Sequence, residues 1–224
     1  MPELPEVETT CRGIRPHIVQ QTLTKPVIRE TRLRWPIAGP WPGTIPGARV
    51  TEIGRRGKYV LLQTTRGTLI IHLGMSGSLR ITEALSPPRK HDHYDLLFEN
   101  GVCLRYHDPR RFGALLHTDD DPLKHPLLAS LGIEPLSAAF DGAYLKQRAG
   151  QRTVPVKSFI MDSRQVVGVG NIYASESLFM AGIAPRKTAG RISLPDYARL
   201  ADAIRTVLEA VSYTHLRAHE TRED

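Results

Sequence analysis

Cysteine is scarce in this sequence, with only Cys11 and Cys103 among 224 residues. The two lie far apart and form no C-x-x-C pair, so neither a disulfide framework nor a cysteine zinc site is indicated. We expect both thiols to be small buried residues.

Long apolar runs are also missing. No stretch approaches the ~18 residues that cross a membrane, and the first residues lack the charged and then apolar pattern of an export signal. Internal repeats and low-complexity tracts are absent too. We therefore expect a soluble globular protein that remains in the cytoplasm.

Acidic residues are outnumbered, with 23 Asp and Glu against 30 Lys and Arg, a formal net charge of +7 and a sequence pI near 9.6. Much of this charge falls in short clusters: Arg29, Arg32 and Arg34; Arg55, Arg56 and Lys58; Arg110 and Arg111. The excess favours a polyanionic partner, and nucleic acid before a membrane, because no amphipathic basic helix stands out. A basic surface that serves only solubility is the alternative.

The chain exceeds a typical domain of ~100 to 150 residues, which predicts two domains. The spacing of apolar residues then indicates a helix followed by β-strands. Apolar residues recur every three or four positions from Leu4 to Ile18, as on one face of a helix. Short β-type runs follow and predict a β-sandwich or barrel with this helix against it. The runs cover residues 48–53, 59–64, 68–73, 78–81, 94–98, 102–106 and 114–117.

Turn signals separate the elements. Asn100-Gly101 is typical of a type I′ hairpin turn, in which both central positions need positive φ. Residues 35–43 combine two tryptophans with glycines and prolines and are expected to form an irregular loop.

Beyond the acidic patch at residues 119–121 the apolar period changes from two to about three and a half. We predict a first domain over 1–118, a linker over 119–134, a helical domain over 135–211 and an unrelated tail over 212–224. The predicted helices cover 123–131, 144–148, 156–161, 172–181 and a longer stretch from Pro195, capped by Ser193 and Asp196.

The N-terminus carries reactive chemistry. Removal of Met1 would leave Pro2 as a secondary amine, and α-amino groups titrate near pH ~7.7 to 8.0, so part of the population is an unprotonated nucleophile at neutral pH. Such an amine can form an iminium with the aldehyde carbon of a sugar, with Glu3 and Glu6 within reach. Ordinary capping of a helix start by proline and glutamates is the simpler interpretation.

Two stretches are suited to binding phosphate. Lys58 opens a strand, where its ammonium could bind a phosphate or exchange a proton. Residues 165–176 place two glycines and Asn171 before a helix, whose free N–H groups and positive dipole end favour anions, with Arg152 and Lys157 just upstream. A solvated lysine and a tight turn between helices are the simpler interpretations.

Two turns are suited to entering a duplex. Residues 72–77 present the apolar Met75 between glycines, and residues 108–113 present Arg110 beside Phe112. A protein that extracts a base must fill the gap, and an apolar wedge with an arginine for the stranded partner base does so. Core packing of Met75 and Phe112 is the alternative.

Together these residues resemble the bacterial formamidopyrimidine-DNA glycosylases. The resemblance runs from Met1 to about Ala210 and rests on the motifs PELPEVE, GKYVLL, HLGMSGSLR, KHDHYDL, DPRRFG and VVGVGNIYASESLF. The PELPEVE start is closer to the branch that acts on oxidised purines than to the endonuclease VIII branch, which favours oxidised pyrimidines.

The resemblance implies an α+β fold in which an N-terminal helix and β-sandwich domain precede a helix-two-turns-helix domain. It implies a monomer that holds double-stranded DNA between the two domains. The implied activity is removal of 8-oxoguanine or a formamidopyrimidine, followed by cleavage of the abasic site through β,δ-elimination.

The resemblance also implies roles for single residues. Pro2 would attack the sugar C1′, Glu3 would act as the acid/base group that opens the sugar, Glu6 would support the site and Lys58 would donate a proton in elimination. The void left by the base would be filled by Met75, Arg110 and Phe112. The DNA would be held by His91, Arg110, Arg152, Lys157 and Asn171.

The sequence departs from the family after its last long helix. Family members continue into a zinc finger with four cysteines and a DNA-contacting arginine, which this sequence lacks, so we predict no metal and no other cofactor here. His215 and His219 have the spacing of a helical metal pair but lack further ligands. Two alternatives stay open: a DNA-binding remnant without turnover, and a glycosylase for oxidised pyrimidines.

Overall fold

In a computed structural model of the protein, the described residues are 1–37 and 45–220, with side chains described up to Val211. Most of the predicted loop at 35–43 lies outside these residues. The side chains of the predicted tail, including His215 and His219, lie outside them too.

The chain forms two compact units. The first comprises Met1–Pro2 and Val7–Ala129, and the second comprises Glu3–Glu6 and Ser130–Asp224. Helix α1, Leu4–Ile18, therefore begins in the second unit and continues in the first. The domain boundaries predicted at 118 and 134 stay a prediction.

The first unit contains eight strands joined in antiparallel ladders, in the order β5-β7-β6-β1-β2-β3-β4-β8. Only the pairs Thr22↔Arg49 and Leu23↔Ala48 join the half that ends in β1 to the half that begins with β2. The strands are β1 Thr22–Ile28, β2 Ala48–Arg56, β3 Tyr59–Thr64, β4 Gly67–His72, β5 Ser78–Glu83, β6 Asp92–Phe98, β7 Val102–His107 and β8 Ala114–Thr118.

One hydrophobic core lies between the two halves of the sheet. It takes Val60 and Leu62 from one half, Leu96 and Leu104 from the other, and the predicted apolar face of α1, including Ile14. This arrangement confirms the predicted sandwich with a helix packed against it.

Strand β1 is absent from the sequence-based prediction because Lys25-Pro26 interrupts its apolar pattern. Pro26 pairs with Leu96 of β6, while pairing of β1 with β2 ends at Leu23. A proline that lacks an N–H is tolerated where one side of a strand makes no ladder bonds.

The hairpin between β6 and β7 forms, but the predicted type I′ turn is wrong. A type I′ turn needs positive φ at both central residues, and only Gly101, with φ of 80°, meets this. Asn100 is not among the non-glycine residues with positive φ in the described chain, which are Gln20, His91 and Arg111. The side-chain oxygen of Asn100 instead accepts a hydrogen bond from the backbone of Val102 at 3.1 Å. This local bond gives asparagine a turn role that does not need positive φ.

The predicted helix at 123–131 is also wrong. A 3₁₀ turn, Pro122–Lys124, and the short helix α2, Pro126–Ala129, replace it. His125 between them has ψ of 136°, because a residue before proline is pushed out of the helical region.

The second unit is helical: α3 Gly142–Ala149, α4 Val156–Met161, α5 Asn171–Ala181, a 3₁₀ turn Ala189–Arg191 and α6 Leu194–Glu220. Its core includes Leu4, Phe159 and Tyr197. The Ser193 hydroxyl accepts the Asp196 N–H at 3.2 Å, as predicted for the start of the last helix. None of the described helices is long and apolar enough to span a membrane.

A core truncation tests the sandwich. Leu62 is fully buried in the core of the first unit, so Leu62→Ala should lower the free energy of unfolding by about 2 to 5 kcal/mol, because it leaves a cavity. Denaturant unfolding measures this change. Leu85→Ala is the matched control, since Leu85 is 96% exposed and its loss should stay within about 0.5 kcal/mol. Equal losses would contradict the assigned core.

Candidate active site

The carboxylate of Glu3 binds the start of helix α5. One oxygen, Oε2, accepts the N–H of Gly170 at 2.7 Å and that of Tyr173 at 3.3 Å, and Oε1 accepts the N–H of Ile172 at 3.0 Å. Glu3 is only 2% exposed. The first N–H groups of a helix have no partner within the helix and lie at its positive end, so a buried carboxylate is stable there.

Two glycines make room for this contact. A Cβ at Gly170 would lie 2.5 Å from Cδ of Glu3, and a Cβ at Gly168, where φ is 81°, would lie 2.6 Å from Cβ of Leu4. The backbone N–H of Leu4 also donates to the carbonyl of Gly168 at 2.9 Å. The glycines therefore admit the chain's own N-terminal residues.

This contact corrects the prediction that the free N–H groups at the start of α5 bind a phosphate. Free N–H groups for a phosphate are expected from residues 165–176, but those of Gly170, Ile172 and Tyr173 already donate to Glu3. The exposed side chain of Asn171 is still placed at the first position of α5. The Asn171 side chain stays a predicted DNA contact of this segment.

Glu6 extends the same network. Its Oε2 accepts the backbone N–H of Glu3 at 2.8 Å, and its Oε1 accepts the hydroxyl of Tyr173. Burial and the adjacent Glu6 raise the pKa of Tyr173, so this phenol stays protonated and donates to the carboxylate. Sequence reasoning missed Tyr173, because Glu6 lies 167 residues away in the chain and no local pattern indicates the bond.

The first unit contains an open cleft of about 750 Å³, here called the basic cleft. Its lining includes Met1 and the three residues predicted to fill a void, namely Met75, Arg110 and Phe112. Met75 is 42% exposed and Phe112 44% exposed, so neither is a core residue. The guanidinium carbon of Arg110 lies 4.8 Å from the centroid of the Phe112 ring, which is cation–π distance.

A buried aspartate holds the two turns of the basic cleft together. The carboxylate of Asp108 accepts the Ser76 hydroxyl at 2.7 Å, the Gly113 N–H at 2.9 Å and the Tyr106 hydroxyl at 3.0 Å. Burial alone would raise the pKa of this carboxyl, but these hydrogen bonds outweigh burial and hold the pKa below its usual value. The turns also touch, because a Cβ at Gly74 would lie 2.5 Å from the carbonyl carbon of Phe112.

His72 is a cleft residue that sequence reasoning missed, since it ends an ordinary strand. It lines the basic cleft, and its Nδ1 accepts the N–H of Gly74 at 3.0 Å. Burial first, then the positive charges of Arg34 and Lys58, lower the pKa of His72 to about 4. The imidazole is therefore neutral at pH 7. Lys58 itself is half-buried between Gly57 and β3.

The remaining predicted DNA contacts lie on separate elements. His91 has φ of 71°, and its ring centroid lies 6.1 Å from that of His107. Burial and neighbouring positive charges, with Lys90 the largest, lower the pKa of His91. In the second unit, Arg152 is exposed after α3, and Lys157 is half-buried in the first turn of α4.

No metal-binding group is present in the part of the chain that the structure describes. There, no three side chains of His, Cys, Asp or Glu are placed to hold an ion. Cys11 and Cys103 are free and buried, as predicted, and the Cys11 thiol donates to the carbonyl of Gly54 at 3.4 Å. These residues do not fit the zinc finger that the family implies.

Two family models match this chain. One is described as the formamidopyrimidine-DNA glycosylase N-terminal domain and matches residues 1–115, and the other is described as the H2TH domain of the same enzyme and matches residues 131–217. Curated formamidopyrimidine-DNA glycosylases are similar in sequence. That of Methylococcus capsulatus is 60% identical over 94% of this chain and 78% of its own length, and that of Acidithiobacillus ferrooxidans is 57% identical over 94% and 77%.

Solved structures are similar in fold. The MutM (Fpg) protein of Thermus thermophilus is 39% identical, with a TM-score of 0.82 over 94% of this chain and 76% of that one. The formamidopyrimidine-DNA glycosylase of Lactococcus lactis, bound non-covalently to DNA that contains an abasic site, is 30% identical. Its TM-score is 0.86 over 95% of this chain and 82% of that one.

Titration of His72 tests the environment of the basic cleft. Its ring protons, followed by NMR, should titrate with a midpoint at about 4, whereas an unfolded histidine titrates at about 6.5. Because the unfolded chain binds the proton first, this histidine should make the protein less stable as the pH falls from about 6.5 to 4. His72→Asn should remove that part of the pH dependence. A midpoint near 6.5 would contradict the assigned burial.

Proposed function

The chain belongs to the formamidopyrimidine-DNA glycosylase family, and from this premise we propose how its residues carry out the family's reaction. The protein is a base-excision repair DNA glycosylase that removes oxidised purines, 8-oxoguanine and formamidopyrimidines, from DNA. It then cleaves the strand at the abasic site as a lyase. The bacterial relatives support a cytoplasmic location, where chromosomal DNA lies.

The first step needs an amine at the N-terminus. After removal of Met1, the lone pair of the Pro2 nitrogen attacks C1′ of the damaged nucleotide, and the bond from C1′ to the base breaks. The base leaves with the bonding electrons and takes up a proton. The attached nitrogen loses its proton, the C1′–O4′ bond breaks as O4′ takes up a proton, and the nitrogen lone pair turns the C1′–nitrogen bond into an iminium.

The observation that carries this proposal is the buried contact between Glu3 and the start of α5. Three backbone N–H groups hold its carboxylate, and Glu3 follows Pro2 directly in the chain. Since consecutive Cα atoms lie about 3.8 Å apart, fixing Glu3 restricts where the reactive nitrogen can be. Glu3 then exchanges the proton at the opening sugar, and Glu6 supports Glu3 through its backbone N–H bond.

Elimination follows from the iminium. Loss of a proton from C2′ moves electrons toward the iminium and expels the 3′ phosphate, and a second loss of a proton, from C4′, expels the 5′ phosphate. Lys58 acts as the proton donor in this sequence. Its neighbour His72 is neutral, so it adds no positive charge that would hinder protonation of the lysine.

The basic cleft carries the proposed void-filling residues. Met75 and Phe112 are exposed apolar side chains on turns that Asp108 fixes. They replace the stacking that is lost when the damaged base leaves the duplex, and Arg110 bonds the stranded partner base. We assign DNA backbone contacts to His91, Arg152, Lys157 and Asn171.

Two forms of the same chain test the role of Pro2. The form without Met1 should give a covalent adduct with a duplex that contains an abasic site when borohydride is present. The form that retains Met1 should give none, because its Pro2 nitrogen is an amide and cannot form an iminium. Intact-mass analysis identifies the two forms, and denaturing gels quantify the adduct.

Binding of the same duplex is the control for this comparison. Both forms should bind it with similar affinity, since the change leaves the charge of the DNA-binding residues intact. Equal adduct yields from both forms would exclude Pro2 as the nucleophile. Loss of binding together with loss of the adduct would also count against the assigned role.

A further inference from the structure

Arg34 lies at the basic cleft and has no role in the reaction described so far. Arg34 follows β1 in the chain and lines the same cleft as Met75, Arg110 and Phe112. Its backbone N–H donates to the carbonyl oxygen of Gly113 at 3.0 Å. This bond ties the backbone of Arg34 to the turn that carries Arg110 and Phe112.

An aromatic ring holds the Arg34 side chain. The guanidinium carbon lies 4.8 Å from the centroid of the Trp35 ring, within the ~6 Å range of a cation–π contact. Arg34 is exposed and Trp35 is half-buried. A guanidinium stacked in this way keeps the N–H donors at its edge for another group, and it loses less side-chain freedom on binding than an unrestrained one.

The arginines around the cleft differ in whether a carboxylate neutralises them. Arg32 pairs with Glu30 at 2.8 Å, and Arg111 pairs with the same carboxylate at 3.3 Å. Within residues 1–37 and 45–211, no carboxylate pairs with Arg34. Its charge also contributes to the lowered pKa of His72. Among the described side chains, Arg34 therefore adds positive charge to the cleft that no carboxylate compensates.

We propose that Arg34 binds a phosphate of the DNA backbone at the edge of the basic cleft and that Trp35 positions it for this contact. The inference rests on the proposed function, which brings DNA to Met75, Arg110 and Phe112. A planar guanidinium matches two oxygens of a phosphodiester. Such a contact fixes the position of the duplex and reads no sequence.

The salt dependence of binding tests this contact. The probe is a duplex with a tetrahydrofuran abasic analogue, which binds without turnover. Each neutralised phosphate adds about 0.9 to the slope of log affinity against log salt concentration. Arg34→Gln should therefore reduce the slope by about one and weaken binding roughly tenfold at low salt. Arg34→Lys keeps the charge but loses the planar guanidinium, so its affinity for the duplex should fall between that of the wild type and that of Arg34→Gln.

Substitution of Trp35 tests whether the position of the Arg34 side chain matters in addition to its charge. Trp35→Ala should weaken binding with the arginine still present, and it should add little to Arg34→Gln, since both changes disrupt one contact. Fully additive effects would overturn the proposed role of Trp35. Circular dichroism and thermal unfolding of each variant verify that the fold is retained.

Arg49→Gln is the matched control. Arg49 is an exposed residue of β2, and its substitution removes the same charge without touching the basic cleft. We expect it to change the slope much less than Arg34→Gln. Equal reductions, or an unchanged slope for Arg34→Gln, would overturn the inference while the proposed function stands. A wild-type chain that fails to bind the duplex would overturn the proposed function itself.

Discussion

The buried contact between the Glu3 carboxylate and the start of α5 is the constraint on which the site depends. A helix start presents N–H groups without partners, and a carboxylate removed from water needs several donors. Each group removes the cost of burying the other. The contact also restricts the backbone of the neighbouring N-terminal residues, because they must place the Glu3 carboxylate at the start of α5. The Pro2 nitrogen, which we propose as the nucleophile, therefore directly precedes a residue that is held in place.

The same constraint gives a different meaning to a familiar sequence pattern. Glycines before a helix are commonly associated with phosphate, because they let an anion approach the backbone closely. Here Gly168 and Gly170 let Leu4 and Glu3 approach instead. The chemistry is the same, since a carboxylate replaces a phosphate as the anion. The anion, however, belongs to the chain itself, which sequence spacing alone does not reveal.

A second buried carboxylate organises the basic cleft. Asp108 is fully buried and receives hydrogen bonds from both turns of the cleft. Met75 and Phe112 can therefore stay exposed without being mobile loop residues, because the backbone beneath them is fixed. The proposed entry of these side chains into a duplex requires this combination, since an unsupported apolar side chain would collapse onto the protein surface.

Local patterns predicted most of the fold. The spacing of Leu4, Val7, Cys11, Ile14 and Ile18 indicates α1, and the alternating runs indicate seven of the eight strands. The errors occur where a neighbour in space, a proline or a local side-chain hydrogen bond decides the outcome. Strand β1 depends on pairing with β6, which its own residues do not indicate, and Pro126 divides a stretch that periodicity alone assigns to one helix.

In the candidate site, too, local patterns indicate some residues, whereas others depend on contacts between distant segments. The motifs predict roles for Pro2, Glu3, Lys58 and the residues of the two turns, because each belongs to a short segment of distinctive composition, and these roles stay predictions. They do not identify Tyr173, His72 or the stacking of Arg34 on Trp35, whose surroundings arise only when distant segments pack together. The family resemblance seen in the sequence is confirmed by relatives that are 60% and 57% identical over 94% of the chain.

The most direct measurement of the central claim is borohydride trapping on a duplex with one 8-oxoguanine opposite cytosine, beside matched duplexes with an oxidised pyrimidine or an abasic site. We predict an adduct on the 8-oxoguanine and abasic duplexes and little on the pyrimidine duplex. A preference for the pyrimidine lesion would indicate the other branch of the family. No adduct on any duplex, from a chain without Met1 that still binds DNA, would contradict the account and leave a DNA-binding remnant without turnover.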